Sequence, residues 1–283
     1  MGICFFQKLA KFIKQEYPEL KGFDRRNLYK MKQFYEFYRN SKEALNLIIE
    51  INWSSHRVIM SRCKTTEARI FYMNMCIKEH LSVRELERQI NSSYYERYLL
   101  SNKTLTPAIN RSKEVTKNIF LDHYVFDFLN LTTCEISESE LEKSIVDNMK
   151  DFILEIGKDF TFIKEQYCIE VDNQEFYIDL LFYHRGLSCL VAFELKVGDF
   201  KPEYISKMDF YLEALDRKVK KDNENPSVGI ILCAGKNDEV VEYSLSRTLS
   251  PTMVAEYNLK LIDKQLLTSK LREYVKIAKS KSN

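Results

Sequence analysis

Apolar side chains recur every three or four positions through most of the first hundred residues, which is the period of an amphipathic helix. Residues 1–36 are predicted to be helical, with an apolar stripe that contains Phe5, Leu9, Phe12 and Ile13. The pattern breaks at residues 22–24, where Asp24 is a suitable N-cap for a second helix. No alternating strand pattern occurs before residue 130. The first part of the chain is therefore predicted to be all-helical.

The pattern changes after residue 130. Ser137 and Glu140 have the spacing of a capping box and open a helix that ends at Gly157. The elements predicted beyond it are a strand from 160 to 168, a hairpin from 175 to 196, a helix after Pro202, a strand from 228 to 233, a short helix from 238 to 247, a strand from 253 to 259 and a charged C-terminal helix. The second part therefore has the order α-β-β-β-α-β-α-β.

A connector is predicted between the two patterns, because residues 101–131 are polar at their start and contain Pro107. The chain has 283 residues, 45% of them apolar, which is enough for two domains with their own cores. We therefore expect an all-helical domain over residues 1–130, followed by a domain of helices and sheet over residues 131–283.

Charge is divided unevenly between these two parts. Residues 1–130 contain 22 Lys and Arg against 14 Asp and Glu, a net charge of +8. Residues 131–283 contain 21 against 27, a net charge of −6. This asymmetry indicates a polyanion-binding domain beside a cation-holding one, or else two ordinary solvated surfaces.

Several classes of protein are disfavoured. The seven cysteines are scattered without a Cys-x-x-Cys pair, so neither a disulfide framework nor a zinc site is predicted. No apolar run reaches 18 residues and the first stretch is charged too early for a signal peptide, so we expect a cytoplasmic protein without a membrane partner. The chain has no P-loop glycine pattern and no serine-elbow motif, which argues against a nucleotide cofactor and against esterase chemistry.

The predicted hairpin Glu175–Lys196 contains three charges where a buried strand should have none. Two apolar, aromatic-rich runs meet at a turn near Gly186, and Asp179, Glu194 and Lys196 interrupt them. An unpaired charge in a core costs roughly several kcal/mol. Glu194 and Lys196 share one face of a strand, and Asp179 lies on the partner strand. One explanation is that these charges neutralise each other in a structural ion pair. The other is that they form a site for a divalent metal and a phosphodiester.

The pattern Asp179, then Glu194-Leu195-Lys196, resembles the PD-(D/E)XK nuclease signature, although no proline precedes Asp179. The chain as a whole resembles the YhcG-type family, which contains domain of unknown function 1016. The stretches that carry this resemblance are GFDRRNLYKMKQFY (22–35), NWSSHRVIM (52–60), EARIFYMNMCIKEHLSVRELERQI (67–90), FYIDLLFYHRGLSCLVAFELKVGDFKPEY (176–204), MDFYLEALD (208–216) and ENPSVGIILC (224–233). They follow the order of the family over nearly the whole chain.

The resemblance implies an N-terminal helical domain followed by a restriction-endonuclease-like core of order α-β-β-β-α-β. It also implies a nuclease that uses Mg²⁺ or Mn²⁺. Because Mg²⁺ prefers carboxylate and carbonyl oxygens, we expect Asp179, Glu194 and the carbonyl of Leu195 as ligands. Lys196 would then orient or deprotonate the attacking water, or stabilise the transition state.

Related nucleases take further residues from the two helices that flank these strands. A fourth acid comes from the first helix, where Glu142 is the first candidate and Glu155 the second; Glu142 is equally compatible with an exposed position. The helix after the third strand carries Gln and Tyr in related nucleases, at the positions of Lys207 and Tyr211. Lys207 either adds a positive charge near the phosphate or signals altered activity, and Tyr211 is either catalytic or part of the core.

Basic residues are candidate contacts for phosphate, which dominates nucleic-acid affinity and makes it salt-dependent. With Lys207 they are Arg25, Arg26, Lys30, Lys32, His56, Arg57, Arg84 and Arg88. Each of them is also compatible with a solvated helix face, and His56 is also compatible with packing inside the bundle.

The sequence therefore predicts a Mg²⁺-dependent DNA endonuclease that forms a homodimer, with a helical domain that binds DNA or mediates dimerisation. One alternative is a nuclease-inactive nucleic-acid-binding or assembly module of a DNA-processing or defence complex. Lys207 and the missing proline before Asp179 favour that alternative. Another alternative is an enzyme that cleaves RNA.

Overall fold

The chain separates into two compact units in a computed structural model that describes residues 3–101, 120–131, 136–248, 250–263, 267 and 269–270. The first, called here the helical unit, is Met1–Asn91, and the second, the sheet unit, is Ser92–Asn283. This division lies at Asn91, whereas the sequence pattern placed a boundary at residue 130. Most of the predicted C-terminal helix and most of the predicted connector, with Pro107, lie outside the described residues.

Among its described residues, the helical unit contains helices and no strand. Its α-helices are α1 Ile3–Glu16, α2 Arg25–Tyr38, α3 Lys42–Leu47, α4 Trp53–Arg62, α5 Thr66–Glu79 and α6 Val83–Asn91, and a 3-10 helix spans Ile48–Glu50. The predicted N-cap Asp24 accepts a hydrogen bond from the N–H of Asn27 at 2.9 Å. Ser82 and Glu85 form a reciprocal pair of capping hydrogen bonds, at 2.7 and 3.3 Å, at the start of α6.

The sheet unit alternates helices and strands. Its described elements are α7 Tyr94–Leu100, β1 His123–Val125, α8 Glu138–Asp147, α9 Met149–Ile156, β2 Phe160–Val171, β3 Gln174–His184, β4 Cys189–Asp199, α10 Glu203–Lys218, β5 Val228–Gly235, α11 Asp238–Leu245 and β6 Thr252–Asn258. The predicted α-β-β-β-α-β order is confirmed. Within the described parts of the chain, no helix is long and apolar enough to cross a membrane.

Three boundaries differ from the sequence expectation. The capping-box spacing of Ser82 and Glu85 predicts one helix as far as residue 99. The structure divides it into α6 and α7, because Ser93 adopts a left-handed conformation with φ +55°. The single helix predicted from Ser137 to Gly157 is divided at Asn148, whose ψ of 30° is not helical. The short strand β1 lies before residue 130, so the first 130 residues are not all helical.

The six strands form one mixed sheet of order β1-β6-β5-β4-β3-β2. The β2–β3 and β3–β4 pairs are antiparallel, and the β4–β5, β5–β6 and β1–β6 pairs are parallel. Both faces of the sheet are covered. Leu180, Phe182, Val191 and Phe193 belong to one apolar cluster with residues of α8 and α9, and Leu181, Leu190, Ala192 and Ile231 belong to a second cluster with residues of α10. This double cover explains why the strands have nearly continuous apolar sequences.

Candidate active site in the sheet unit

The candidate site lies where β3 and β4 stop pairing. The last pair is Leu180 with Phe193, so Asp179 and Glu194 follow immediately after the two strands separate. Beyond this point β3 continues to pair with β2, and β4 continues to pair with β5. The N–H of Leu195 donates a hydrogen bond of 2.8 Å to Oδ2 of Asp179, which gives this buried donor an acceptor in place of β3 backbone. The separation therefore leaves both acids at one break in the sheet.

Glu194 is the most buried charge of the site. Its side chain is 1% exposed, and its Oε1 is 2.5 Å from Nζ of Lys207 and 3.0 Å from Nζ of Lys196. The other oxygen, Oε2, is buried and has no hydrogen-bond partner among the described residues. A buried carboxylate oxygen without a donor is costly, so Oε2 is a position that a cation would stabilise.

Lys196 lies between two acids. Besides Glu194, its ammonium contacts Oε2 of Glu138 at 2.8 Å, in the first turn of α8. Burial by itself lowers the pKa of Lys196, but the hydrogen bonds with Glu138 and Glu194 outweigh this effect and raise the pKa above its ordinary value. Lys196 is therefore cationic at neutral pH, which favours charge stabilisation over proton abstraction.

Asp179 is partly buried beside the charge of Glu194. Burial, followed by the repulsion from Glu194, raises the pKa of Asp179 to about 6. The hydrogen bond from Leu195 and the charges of Lys207 and Lys196 oppose this rise. An acid whose pKa is raised by burial and by a neighbouring carboxylate is typical of a functional site.

The two candidates for a fourth acid have different environments. Glu142 accepts two hydrogen bonds from Nε2 of Gln166, at 2.9 and 2.7 Å, and burial raises its pKa, with smaller contributions from neighbouring acids that include Glu194. Glu155 is fully buried, 2.6 Å from Arg97. It also accepts a hydrogen bond of 2.8 Å from the N–H of Val125 in β1. Glu155 therefore connects α9 to α7 and β1 through a structural ion pair.

Tyr211 has its hydroxyl committed to the backbone. It is 3% exposed and donates a hydrogen bond of 2.5 Å to the carbonyl of Tyr177 in β3. Nζ of Lys207 lies 5.3 Å from the centre of its ring. Tyr211 is thus a core residue that also borders the charged site.

Sequence reasoning missed Glu138 and Gln166. Glu138 lies in the first turn of a helix, where an acid interacts favourably with the helix dipole, so its presence there did not indicate a role in the site. Gln166 lies in β2 with φ +43°, and such an irregular conformation has no sequence signal outside glycine and asparagine. The ion pair between Lys207 and Glu194 depends on how α10 packs on the sheet, which a strand or helix pattern does not specify.

The residues fit a hard divalent cation. Within the described parts of the chain, no group of three or more His, Cys, Asp or Glu side chains forms a ready-made metal site. Asp179 and Glu194 nevertheless supply two carboxylates at one break in the sheet, and Oε2 of Glu194 lacks a protein donor. Carboxylate oxygens of this kind are the ligands that Mg²⁺ and Mn²⁺ prefer. The carbonyl of Leu195 as a third ligand stays a prediction.

His56 differs from the other basic candidates of the helical unit. It is 2% exposed, its Nε2 lies 3.0 Å from the carbonyl of Ile48, and its ring packs against the rings of Phe34 and Tyr38. Burial also lowers its pKa, which favours the neutral form. The side chain is therefore enclosed and packs inside the bundle, and a contact of His56 with phosphate stays a prediction that this structure does not support.

Three other cations of the helical unit gather beside two adjoining grooves. The grooves have volumes of about 390 and 620 Å³ and share Lys30 and Gln33; Arg57 lines the first and Arg26 the second. Among the described residues, no acid forms an ion pair with Arg26, Lys30 or Arg57. Desolvation, followed by the charges of Arg57 and Arg26, lowers the pKa of Lys30. Because the two grooves share Lys30 and Gln33, we treat them as one surface and call it the α2–α4 groove.

The remaining basic candidates have separate positions. Arg25 is exposed and also lines the second groove, with its guanidinium 5.9 Å from the ring of Tyr29. Lys32 forms an ion pair with Glu36 at 3.4 Å. Arg84 is exposed and Arg88 is half-buried on α6, and neither lines the groove. Lys207 belongs to the sheet unit, where it contacts Glu194.

Known proteins are similar to this chain over most of its length. A family model described as the YhcG PDDEXK nuclease domain matches residues 117–272, and one described as the DUF1016 N-terminal domain matches residues 1–97. A protein of Escherichia coli (strain K12) named "Putative nuclease YhcG" is 30% identical over 302 residues, which cover 95% of this chain and 80% of that protein.

Two solved structures are similar to part of the chain. A repair endonuclease from Pyrococcus abyssi is 17% identical, with a TM-score of 0.30, over 45% of this chain and 49% of that one. EndoMS in its apo form is 14% identical, with a TM-score of 0.29, over 46% of this chain and 48% of that one. The chain thus spans about half the length of each of these two structures.

The raised pKa of Asp179 predicts a pH-dependent effect of Asp179→Asn on the metal-free protein. A pKa of about 6, against an ordinary 3.8, means that the protonated form contributes full stability below pH ~4 and that this contribution is lost as the pH rises through 6. Asparagine keeps an acceptor for Leu195 and carries no charge. The variant should therefore be more stable than the wild type by about 1–3 kcal/mol at pH 7.5, with no gain at pH 4.

Urea unfolding in EDTA at the two pH values measures this difference. Asp172→Asn, in the exposed turn between β2 and β3, is the matched control and should change stability little at either pH. A variant Asp179→Asn that is no more stable than the wild type at pH 7.5 would contradict the proposed electrostatics of the site.

Proposed function

Because the chain belongs to the YhcG family of PDDEXK nuclease domain proteins, we propose that it hydrolyses phosphodiester bonds of DNA with a divalent metal, Mg²⁺ or Mn²⁺. The observation that carries this proposal is the meeting of Asp179, Glu194 and Lys196 where β3 and β4 separate. A structural ion pair needs only one acid beside the lysine. Here two acids and a lysine share one site, and the charge of Glu194 contributes to the raised pKa of Asp179.

Asp179 and Glu194 are the proposed metal ligands. A divalent cation held by these two carboxylates would lower the pKa of a water molecule and neutralise charge on the scissile phosphate. Oε2 of Glu194 is the oxygen free to bind, since Oε1 already accepts from two lysines. Oδ2 of Asp179 accepts from Leu195, which fixes the orientation of that carboxylate. Both ligands are thus oriented by the chain before a cation arrives, which reduces the entropic cost of binding.

Lys196 is the proposed catalytic cation. Its raised pKa keeps it protonated, so it donates hydrogen bonds to the attacking water or to the phosphate oxygens as negative charge develops. Glu138 is a positioning residue, because it contacts the Lys196 ammonium from α8 and is itself half exposed. Glu142 is the proposed fourth acid, and Tyr211 supports the site by joining α10 to β3.

The α2–α4 groove is the proposed contact for the phosphate backbone of DNA. Arg26, Lys30 and Arg57 form no ion pair with an acid among the described residues, although Asp24 and Glu87 also line the grooves. After desolvation, the positive charges of Arg57 and Arg26 lower the pKa of Lys30. A phosphate backbone relieves this repulsion and releases counterions on binding. Arg25, Arg84 and Arg88 are further contacts that this proposal allows on the same unit.

One observation favours a second candidate function, that of a nuclease-inactive nucleic-acid-binding module. Lys207 contacts Glu194 at 2.5 Å, so one proposed metal ligand already has a cationic partner. If this ion pair were permanent, the sheet unit would keep the architecture of a nuclease without binding metal. RNA remains the alternative substrate in either case.

A cleavage assay distinguishes these functions. Purified protein incubated with supercoiled, linear, branched and single-stranded DNA should cut at least one substrate in Mg²⁺ or Mn²⁺ and none in EDTA. Asp179→Asn and Lys196→Met should each lower the rate on the order of 10²-fold or more, because each removes charge from the reacting site. Asp172→Asn and Lys218→Met are controls on exposed positions and should cut at the wild-type rate.

Two outcomes would count against the proposal. Wild-type rates for Asp179→Asn would show that the assigned residues are wrong. No cleavage of any of the four substrates in either metal, together with tight DNA binding, would support the nuclease-inactive module instead.

The groove proposal predicts a change in the salt dependence of DNA binding. The double variant Lys30→Gln/Arg57→Gln should bind DNA more weakly, and the slope of log K against log salt should become shallower by about 2, since two phosphate contacts are lost. Fluorescence anisotropy in EDTA measures binding without cleavage.

The matched control is Lys32→Gln/Lys78→Gln. It removes the same charge from lysines of the helical unit that already pair with acids, Glu36 at 3.4 Å and Glu79 at 3.7 Å. If both double variants change the slope equally, net charge rather than the groove determines binding, and the groove assignment fails.

A further inference from the structure

Lys207 contacts a buried carboxylate from the solvent side. It lies on the second turn of α10, and its Nζ is 2.5 Å from Oε1 of Glu194. The Lys207 side chain is 46% exposed, whereas that of Glu194 is 1% exposed. The ammonium can therefore leave the carboxylate for water without any rearrangement of the core.

The two lysines that contact Glu194 are held differently. Lys196 is 11% exposed and has a second acidic partner, Glu138, at 2.8 Å. Lys207 has no acid other than Glu194 within ion-pair distance among the described residues, and its other neighbour is the ring of Tyr211 at 5.3 Å. Lys196 is thus fixed, and Lys207 is the cation that can be exchanged.

The ion pair between Lys207 and Glu194 compensates for excess negative charge in the metal-free site. Without metal, the charges of Asp179 and Glu194 oppose each other in a partly buried site, and one fixed lysine is shared between Glu194 and Glu138. Lys207 supplies the missing positive charge. A divalent cation would supply more charge at the same place, and the ammonium would then repel it.

We propose that Lys207 is a built-in counterion of the metal site, which neutralises Glu194 in the metal-free protein and withdraws from it when a divalent cation binds. This proposal rests on the proposed function, since it needs a metal at Asp179 and Glu194. Its consequence is competition, because an ammonium bonded to Oε1 of Glu194 repels a cation that binds Oε2 of the same carboxylate. The withdrawn ammonium remains next to the site and can contact a substrate phosphate, which links metal binding to substrate binding.

Mn²⁺ binding to the nucleic-acid-free protein tests this competition. The signal of free Mn²⁺ in electron paramagnetic resonance gives the affinity at pH 7.5, without any measurement of activity. Lys207→Gln should bind Mn²⁺ roughly tenfold more tightly than the wild type, which corresponds to about 1.4 kcal/mol. Lys207→Arg keeps the charge and should stay within about threefold of the wild type.

Lys218→Gln is the matched control, because it removes the same charge from an exposed lysine at the other end of α10. Its Mn²⁺ affinity should match the wild type. Asp179→Asn should abolish the binding that Lys207→Gln strengthens, which assigns the Mn²⁺ to this site.

The outcomes separate this proposal from the proposed function. Equal or weaker Mn²⁺ binding by Lys207→Gln, at a site that Asp179→Asn removes, would overturn the counterion proposal and leave the nuclease proposal intact. An equal gain in Lys218→Gln would also overturn it, since net charge would explain the effect. No Mn²⁺ binding by the wild type or by Lys207→Gln would contradict both proposals.

Discussion

The burial of the Glu194 carboxylate is the constraint on which the rest of the site depends. A carboxylate that is 1% exposed in a sheet covered on both faces is unfavourable unless cations surround it. Lys196 meets this need from the same strand, and Lys207 meets it from α10. One of its two oxygens still lacks a partner among the described residues. The two lysines therefore compensate for the burial of Glu194, and its unpaired oxygen Oε2 remains available to a further cation.

The break between β3 and β4 is what makes this burial possible. Had the ladder continued past Leu180 and Phe193, the N–H of Leu195 would face backbone, and Asp179 would have no donor to accept from. Because the strands separate there, the Asp179 carboxylate replaces backbone as acceptor and is held beside Glu194. The continuous apolar cover from α8, α9 and α10 then lowers the local dielectric and strengthens each charge interaction.

The sequence predicted most of the elements and drew attention to three charges inside a hairpin, because both are local signals. Two apolar runs around a turn specify a hairpin, and three charges inside them are visible without any structure. The order of the strands and the helix after Pro202 follow from the same patterns. Short or irregular elements were harder to predict. Three-residue β1 is stabilised by pairing with β6, more than a hundred residues away, and Ser93 and Asn148 interrupt helices whose apolar period continues through them.

The sequence also could not predict which side chains far apart along the chain contact each other. Glu155 was a candidate for the metal, but it pairs with Arg97, which is 58 residues away and equally buried. The sequence gives no indication that these two residues meet. His56 shows the same limit, since its enclosure by aromatic rings depends on how α2 and α4 pack. The basic residues around the α2–α4 groove were recognisable by charge alone, but which of them share a groove follows from the packing of these two helices.

The central claim is that Asp179 and Glu194 hold a divalent metal, and the position of that metal is its most direct test. Crystals grown with Mn²⁺ and measured for manganese anomalous scattering give this position without an assumption about substrate. The account predicts an anomalous peak in contact with one carboxylate oxygen of Asp179 and with Glu194, and Nζ of Lys207 no longer bonded to Glu194. A Mn²⁺-saturated crystal with no peak at these two residues, and with the ion pair between Lys207 and Glu194 intact, would contradict it.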